Sequence, residues 1–310
     1  MIEVEQLSKR FGELVAVDKI SFTARGGEIF GLLGPNGAGK STTIGCISGL
    51  LKPSTGRVRL MGHDVATAGP VARRSLGFVP QELALYEELS ARENLRYWGS
   101  AYGLRGATLE HRVQAVLEAV ELLDRDREPV ENFSGGMKRR LNFGCGLVHE
   151  PAVLLLDEPT VGVDPQSREH LLAMVRAQVA GGTCVLYTTH YMEEAEALCD
   201  RLAIMDHGHI IAGGTLDELR AMVGGRDVLR FSGRFDEART RSALQDGLSG
   251  IELLHIDEGG LQLSLPDAPR QLSAVVAALG GAGCDIHETL LTRASLESLF
   301  IKLTGKELRE

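Results

Sequence analysis

The sequence predicts an α/β fold built on parallel strands, followed by a smaller α+β unit, and three observations carry that prediction. Apolar runs of strand length alternate with helical periodicity over residues 1–215. One of those runs, residues 28–33, leads directly into a glycine-rich segment, GPNGAGKST at residues 34–42. After Gly224-Gly225 the character changes to short strands paired around tight turns. A length of 310 residues accommodates two such units at ~100 to 200 residues each.

Taken in order, residues 2–7 and 20–24 read as strands, with Phe11-Gly12 in the connection between them. An aromatic there either packs as a half-buried loop residue or lies exposed, ready to stack on a purine ring. From Ser41 a helix runs through Ile44, Ile47 and Leu50 and stops at Pro53-Ser54-Thr55-Gly56. Residues 57–61 form a strand, and LGFVP at 76–80 forms another that proline ends just before Gln81. Residues 90–124 read as helical, with Leu95, Tyr97, Trp98, Tyr102, Val113, Val116, Leu117 and Val120 three or four apart, as an all-helical insert between sheet strands. Ser134 N-caps a helix that opens Gly135-Gly136-Met137 and continues through Leu141, Phe143 and Leu147. The continuous run 153–156 is a strand buried on both faces and ends in Asp157-Glu158-Pro159. A turn at 162–165 starts a helix that Gly181-Gly182 stops, and the strand CVLYT at 184–188 leads to Thr189-His190.

Beyond residue 225, strands at 227–232, 251–256, 261–265 and 285–291 and helices at 236–246, 269–279 and 295–303 give a β-α-β-β-α-β order. That order predicts a small ferredoxin-like domain with no catalytic constellation. A dimerising or regulatory role is the expectation for it.

The segment 34–42 fits G-x-x-x-x-G-K-[ST] between a strand and a helix, the context in which such a loop cradles phosphates. Gly34, Gly37 and Gly39 let the backbone approach phosphate oxygens, Lys40 supplies a point charge, and the Ser41 hydroxyl is a hard oxygen suited to Mg²⁺. Asn36 and Thr42 complete the loop, and the helix N-terminus adds partial positive charge. Ligands of open parallel sheets collect beyond the carboxyl ends of the strands. Gln81, Asp157 and His190 all stand there, so Gln81 is a candidate for holding water or Mg²⁺, and His190 for donating to a phosphate oxygen or water. Neighbouring strand residues face opposite ways, which separates the roles of the two acids. Asp157 is placed to hold Mg²⁺ through its water shell, and Glu158 to take a proton from an attacking water. The start at Ser134 reads equally as a second anion-binding helix end or as a plain capped helix with a solvated basic face.

Totals narrow the field. Thirty-three basic against 42 acidic side chains give a net charge of −9, with no long basic tract, so no nucleic-acid partner is expected. No stretch approaches the ~18 to 20 apolar residues of a spanning helix, and residues 1–10 lack a signal-peptide layout, so a cytosolic chain is expected. The five cysteines and nine histidines are scattered without metal-ligand spacing. No N-K-x-D stretch follows the loop to read guanine.

These motifs, in this order over about residues 1–215, resemble the ATP-binding subunits of ABC transporters, a P-loop NTPase fold with a mixed sheet and a helical subdomain at about 88–150. The resemblance implies ATP and Mg²⁺ as cofactors, with Phe11 stacked on adenine. It further implies a homodimer in which Ser134, Gly135 and Gly136 of one copy cap the phosphate held by Lys40 of the other, with Asp164 at the seam. Met137 stands where that family commonly has glutamine, which removes a polar contact. PTVGVDPQSR (159–168), TTHYMEEAEALCDR (188–201) and LTGKELRE (303–310) look like the daunorubicin-resistance type, whose permease is a separate integral-membrane chain. Residues 82–98 are similar in position to the surface that receives the permease. The implied reading is an ATPase at the cytoplasmic face of the membrane that powers export of a drug, lipid or polysaccharide. An import-type ATPase and a soluble ATPase acting on ribosomes or nucleic acid are the alternatives.

Overall fold

Alternation of buried Ile2 and Val4 with less buried Glu3 and Glu5 sets the first strand, β1 (Ile2–Phe11), as one face of a core. It pairs antiparallel with β2 (Leu14–Ala24) across a turn at Gly12-Glu13, where Gly12 takes φ 59°. The computed structural model describes residues 1–222, 226–247, 250–257, 259–292 and 295–304. The chain divides into one unit ending at Leu216 and a second beginning at Asp217.

In the first unit β3 (Ile29–Leu33) is wholly buried and feeds α1 (Lys40–Ser48) through the glycine-rich loop. There follow β4 (Thr55–Leu60), β5 (His63–Asp64), α2 (Gly69–Arg74), β6 (Leu76–Val79), α3 (Ala91–Ala101), α4 (Gly106–Ala119) and α5 (Gly135–Leu147). The unit closes with β7 (Val153–Asp157), α6 (Pro165–Ala180), β8 (Cys184–Thr189), α7 (Met192–Leu198), β9 (Arg201–Asp206) and β10 (His209–Thr215). One sheet has the order β2-β1-β4-β5 and is antiparallel; the other has the order β10-β9-β3-β8-β7-β6 and is parallel except for its edge strand β10, which runs antiparallel to β9. Between them Ile44, Cys46 and Ile47 of α1 pack with Ile2, Val17, Leu32, Leu155 and Leu186 in one continuous core.

Two expectations change, and one stretch gains elements the sequence reading had not assigned. Phe11 is the last residue of β1, paired with Leu14, rather than part of a loop, because β1 and β2 extend to a tight turn. The helical stretch 90–124 breaks in two at Tyr102–Arg105, where Gly103 takes φ 95°, a left-handed conformation that ends a helix. Ser90 starts the first half with a reciprocal capping box to Glu93. Residues 192–215 form a helix and an antiparallel hairpin that the sequence pattern did not separate.

The second unit opens with α8 (Leu216–Met222), whose first residue is the last of the first unit. It contains β11 (Asp227–Arg234), α9 (Glu237–Gly247), β12 (Glu252–Ile256), β13 (Gly260–Leu265), α10 (Ala268–Gly281), β14 (Asp285–Thr292) and α11 (Leu296–Thr304). Its sheet, order β12-β13-β11-β14, is antiparallel throughout. Leu229, Phe231, Leu261 and Leu263 turn one face of that sheet onto Leu244, Val275 and Leu279 of the helices. The expected linker at Gly224-Gly225 and residues 305–310 of the terminal run lie outside the described residues.

Candidate active site

Strands β3, β8 and β7 lie side by side and parallel, so the residues just past their carboxyl ends are brought together. Past β3, the loop must pass close to other backbone: a Cβ on Gly34 would meet Met205 O at 2.3 Å, and one on Gly39, at φ 103°, would meet Ala16 O at 2.5 Å. Both positions therefore require glycine. Asn36 and Gly37 are exposed at the crown of the loop, and Gly37 is left-handed at φ 82°. Helix α1 starts at Lys40 with no side-chain cap, which leaves its first-turn N–H groups for a ligand.

Lys40 is folded back over this loop. Its Nζ donates to Gly34 O at 2.7 Å and to Pro35 O at 3.1 Å, and it pairs with Glu158 Oε1 at 2.9 Å, the two side chains being 3% and 5% exposed. The next residue, Ser41, donates from Oγ to Asp157 Oδ1 at 3.4 Å. Consecutive residues of α1 thus face consecutive acids. Thr42 is half-buried beside them.

Asp157 closes β7, and Thr188 Oγ1 donates to its Oδ1 at 2.7 Å. Burial raises the Asp157 pKa, while the hydrogen bonds from Thr188 and Ser41 pull the other way. Glu158 lies beyond the strand at φ 46°, a left-handed conformation that costs a non-glycine residue about 1 kcal/mol. Its N–H donates to Thr188 Oγ1 at 3.0 Å and to Thr188 O at 3.2 Å, which holds the turn. The two acids are separated by this turn and not by strand alternation, which corrects the sequence argument. His190 follows β8, and its Nδ1 lies 3.0 Å from Glu158 Oε2. One carboxylate is gripped by Lys40 on one oxygen and by His190 on the other.

Gln81 stands two residues past β6, at the sheet's outer edge and exposed. Three strand spacings, roughly 14 Å, separate β6 from β3. The structure joins the Gln81 amide to neither Asp157 nor Ser41; its main-chain O instead accepts from Arg139, whose other terminal nitrogen donates to Val161 O at 3.0 Å. Phe11 is 47% exposed, with Lys9 Nζ 4.8 Å from its ring centroid. Its strand partner Leu14 lies two residues, roughly 7 Å, from Ala16, the residue against the loop at Gly39.

Ser134 is the N-cap of α5 and accepts from Met137 N–H at 3.3 Å. A Cβ on Gly136 would meet Ser167 Oγ at 2.3 Å, whereas one on Gly135 would meet nothing within 4 Å. Asp164 caps α6, accepting from Ser167 N–H at 3.0 Å, and the hydrogen bonds from Ser167 hold its carboxyl below the usual range. Ser134, Gly136 and Asp164 of one chain therefore gather at adjoining helix starts, with Ser134 and Gly135 exposed.

Sequence reasoning missed Thr188, Arg139 and Glu194. The signal for Thr188 was a hydroxyl residue inside a fully buried apolar run, and for Glu194 a second acid on the buried side of a short helix. The five cysteines are free, with Cys46, Cys145, Cys184 and Cys199 buried. Among the described residues no three His, Cys, Asp or Glu side chains cluster to hold a metal.

Residues 17–161 match the family model described as ABC transporter. The chain is 41% identical to the linearmycin resistance ATP-binding protein LnrL of Bacillus subtilis (strain 168), over 100% of both chains. It is 40% identical to the daunorubicin resistance ATP-binding protein DrrA3 of Streptomyces coeruleorubidus, over 99% of this chain and 97% of that one. A solved ATP-binding subunit of an ABC transporter is 36% identical and superposes with a TM-score of 0.67, covering 72% of this chain and 93% of its own.

Proposed function

We propose a mechanism from one premise: the chain belongs to the ABC transporter family, as an ATP-hydrolysing subunit of the exporter class. The observation that carries it is the grip of Lys40 and His190 on Glu158 beside the glycine-rich loop. The loop N–H groups, the α1 N-terminus and Lys40 bind the β- and γ-phosphates of ATP. Phe11, exposed at the end of β1, stacks on the adenine. Glu158 takes the proton of the attacking water, and His190 orients Glu158 and meets the γ-phosphate.

The donor set fits Mg²⁺: one hydroxyl and one carboxylate oxygen, hard ligands at the phosphate end of the loop, with Gln81 as a third candidate. Ser41 and Asp157 would hold it alongside the substrate's oxygens, and once bound it neutralises charge on the phosphates. Thr188 fixes the direction of Asp157.

Two copies close head to tail, so that Ser134, Gly135 and Gly136 of one cap the γ-phosphate bound by Lys40 of the other, with Asp164 at the seam. The open space beside Gly135 supports this: nothing in its own chain requires a glycine there. We assign residues 1–220 as the ATP-binding domain and 225–310 as a small α+β domain of the ferredoxin-like kind, supported by its element and strand order. No helix among the described residues is long and apolar enough to cross a membrane; the family reading gives an integral-membrane permease as the partner. Residues 82–98 dock it; Tyr86 and Tyr97 form an exposed edge-to-face pair there with centroids 4.7 Å apart. The chain then works at the cytoplasmic face of the membrane. The resistance named in the relatives favours a drug over a lipid or polysaccharide as cargo.

Purification from membranes tests this reading. A co-purifying integral-membrane chain, and Mg²⁺-dependent ATP hydrolysis lost in Glu158→Gln, are expected. Hydrolysis that survives that substitution, or a chain that never associates with a membrane protein, contradicts it.

A further inference from the structure

Next to the site is a buried carboxylate that the chemistry above does not use. Glu194, the third residue of α7, is 3% exposed. Its Oε2 accepts from three hydroxyls: Thr160 Oγ1 at 2.9 Å, Tyr187 Oη at 2.9 Å and Thr189 Oγ1 at 3.0 Å. Its Oε1 faces Arg168 Nε at 3.4 Å, too poorly aligned for a hydrogen bond, and neither atom has another partner. The Arg168 guanidinium lies over the Tyr191 ring, 4.8 Å from its centroid.

These groups come from different parts of the chain. Thr160 stands in the segment between Glu158 and Asp164, Tyr187 and Thr189 in β8, and Arg168 in α6. Thr189 Oγ1 also accepts from Tyr191 N–H at 2.9 Å, so the hydroxyl that Glu194 holds fixes the backbone on the far side of His190. An apolar cluster in this place would stabilise the fold as well as a buried acid does; what the acid adds is directed hydrogen bonding.

We propose that Glu194 is a positioning residue for ATP hydrolysis, locking the Thr189–Tyr191 turn that aims His190 at Glu158 and tying it through Thr160 to the segment that ends at Asp164. Closure of two copies at Asp164 is thereby sensed at His190 through a single carboxylate. The inference rests on the roles proposed above for Glu158 and His190.

Steady-state ATP hydrolysis and direct Mg²⁺-ATP binding by the full-length chain, for wild type, Glu194→Gln, Thr189→Val, Thr189→Ser and Glu158→Gln, test it. Glutamine keeps the shape, but with its oxygen on the hydroxyls its NH₂ faces Arg168 Nε. Glu194→Gln is expected to lower kcat by about tenfold or more while leaving Mg²⁺-ATP affinity within about twofold, the mark of misplacement and not of lost binding. Thr189→Val, which severs the link to Tyr191, should reproduce that split, and Thr189→Ser, which keeps the hydroxyl, should restore kcat. Wild-type kcat in Glu194→Gln overturns the proposal. So does a parallel fall of kcat and ATP-binding stoichiometry without recovery in Thr189→Ser, since that marks a merely structural acid. If Glu158→Gln turns over normally, the site reading itself falls and takes this inference with it. If Glu158→Gln is inactive while Glu194→Gln is normal, only the inference falls.

Discussion

Lys40 and Glu158 form a buried ion pair, Nζ to Oε1 at 2.9 Å, joining the first residue of α1 to the left-handed residue past β7. The pair satisfies two charges that would each be expensive alone in this dry corner. It also sets a competition, because a phosphate oxygen reaching Lys40 must share the ammonium with the Glu158 carboxylate.

Neutralising Glu158 removes that competitor along with the base. Glu158→Gln is expected to bind Mg²⁺-ATP at least as tightly as wild type while hydrolysis falls about 100-fold or more. Lys40→Ala loses a charge-assisted contact to phosphate and should weaken ATP binding about 10- to 100-fold. Equilibrium binding beside steady-state turnover separates the two variants.

Thr188 holds both acids, through Asp157 Oδ1 at 2.7 Å and the Glu158 N–H at 3.0 Å. Thr188→Val keeps the volume and removes both bonds; at about 1 to 3 kcal/mol for a buried group left unsatisfied, turnover should fall roughly tenfold or more. Thr188→Ser, which returns the hydroxyl, should recover most of it. A fully active valine variant would show that the acids hold their places without it.

Gly135 and Gly136 differ in what surrounds them. Gly136→Ala drives a Cβ into Ser167 Oγ and should cost about 1 kcal/mol in unfolding free energy. Gly135→Ala meets open space and, as a better helix former, should leave stability unchanged or slightly raised. If Gly135 faces the nucleotide of a second copy, its alanine variant still loses hydrolysis. Thermal unfolding and turnover of the two variants check this contrast.

His149 has its ring stacked on Tyr102 at 3.5 Å between centroids, with Nε2 3.0 Å from Leu76 O. Burial pushes its pKa down from 6.5 to about 4. The folded state therefore resists the proton that the unfolded chain accepts. Its contribution is complete above about pH 6.5 and is lost as pH falls through the window down to about 4. After allowance for partial solvent exposure this amounts to about 1 to 2 kcal/mol. His149→Gln should flatten that part of the stability–pH curve, measured by denaturant unfolding at steps of pH.

Much of the site was legible because its residues announce themselves by local spacing. The loop from Gly34 to Ser41 is one contiguous pattern, and Asp157, Glu158 and His190 follow apolar runs whose strand ends meet in a parallel sheet. What stayed hidden depends on long-range contact or on a single torsion. The left-handed turn at Glu158, which points that acid at Lys40, has no signature in Asp157-Glu158-Pro159. Thr188, Arg139 and Glu194 act through partners distant in sequence, so each reads locally as filler, cation or surface acid. Gly103 shows the same limit for the fold: one glycine within a helical periodicity decides whether it is one helix or two. Gln81 was correctly placed at a strand end, but its strand is at the sheet's edge, a fact of strand order that sequence does not state.

Analytical ultracentrifugation of Glu158→Gln with and without Mg²⁺-ATP tests most directly that two copies close over nucleotide through Lys40 and the helix start at Ser134. A dimer carrying two nucleotides, formed only with Mg²⁺-ATP and abolished by Gly135→Ala, is the expected result. A species that binds Mg²⁺-ATP and remains monomeric at every concentration would contradict it.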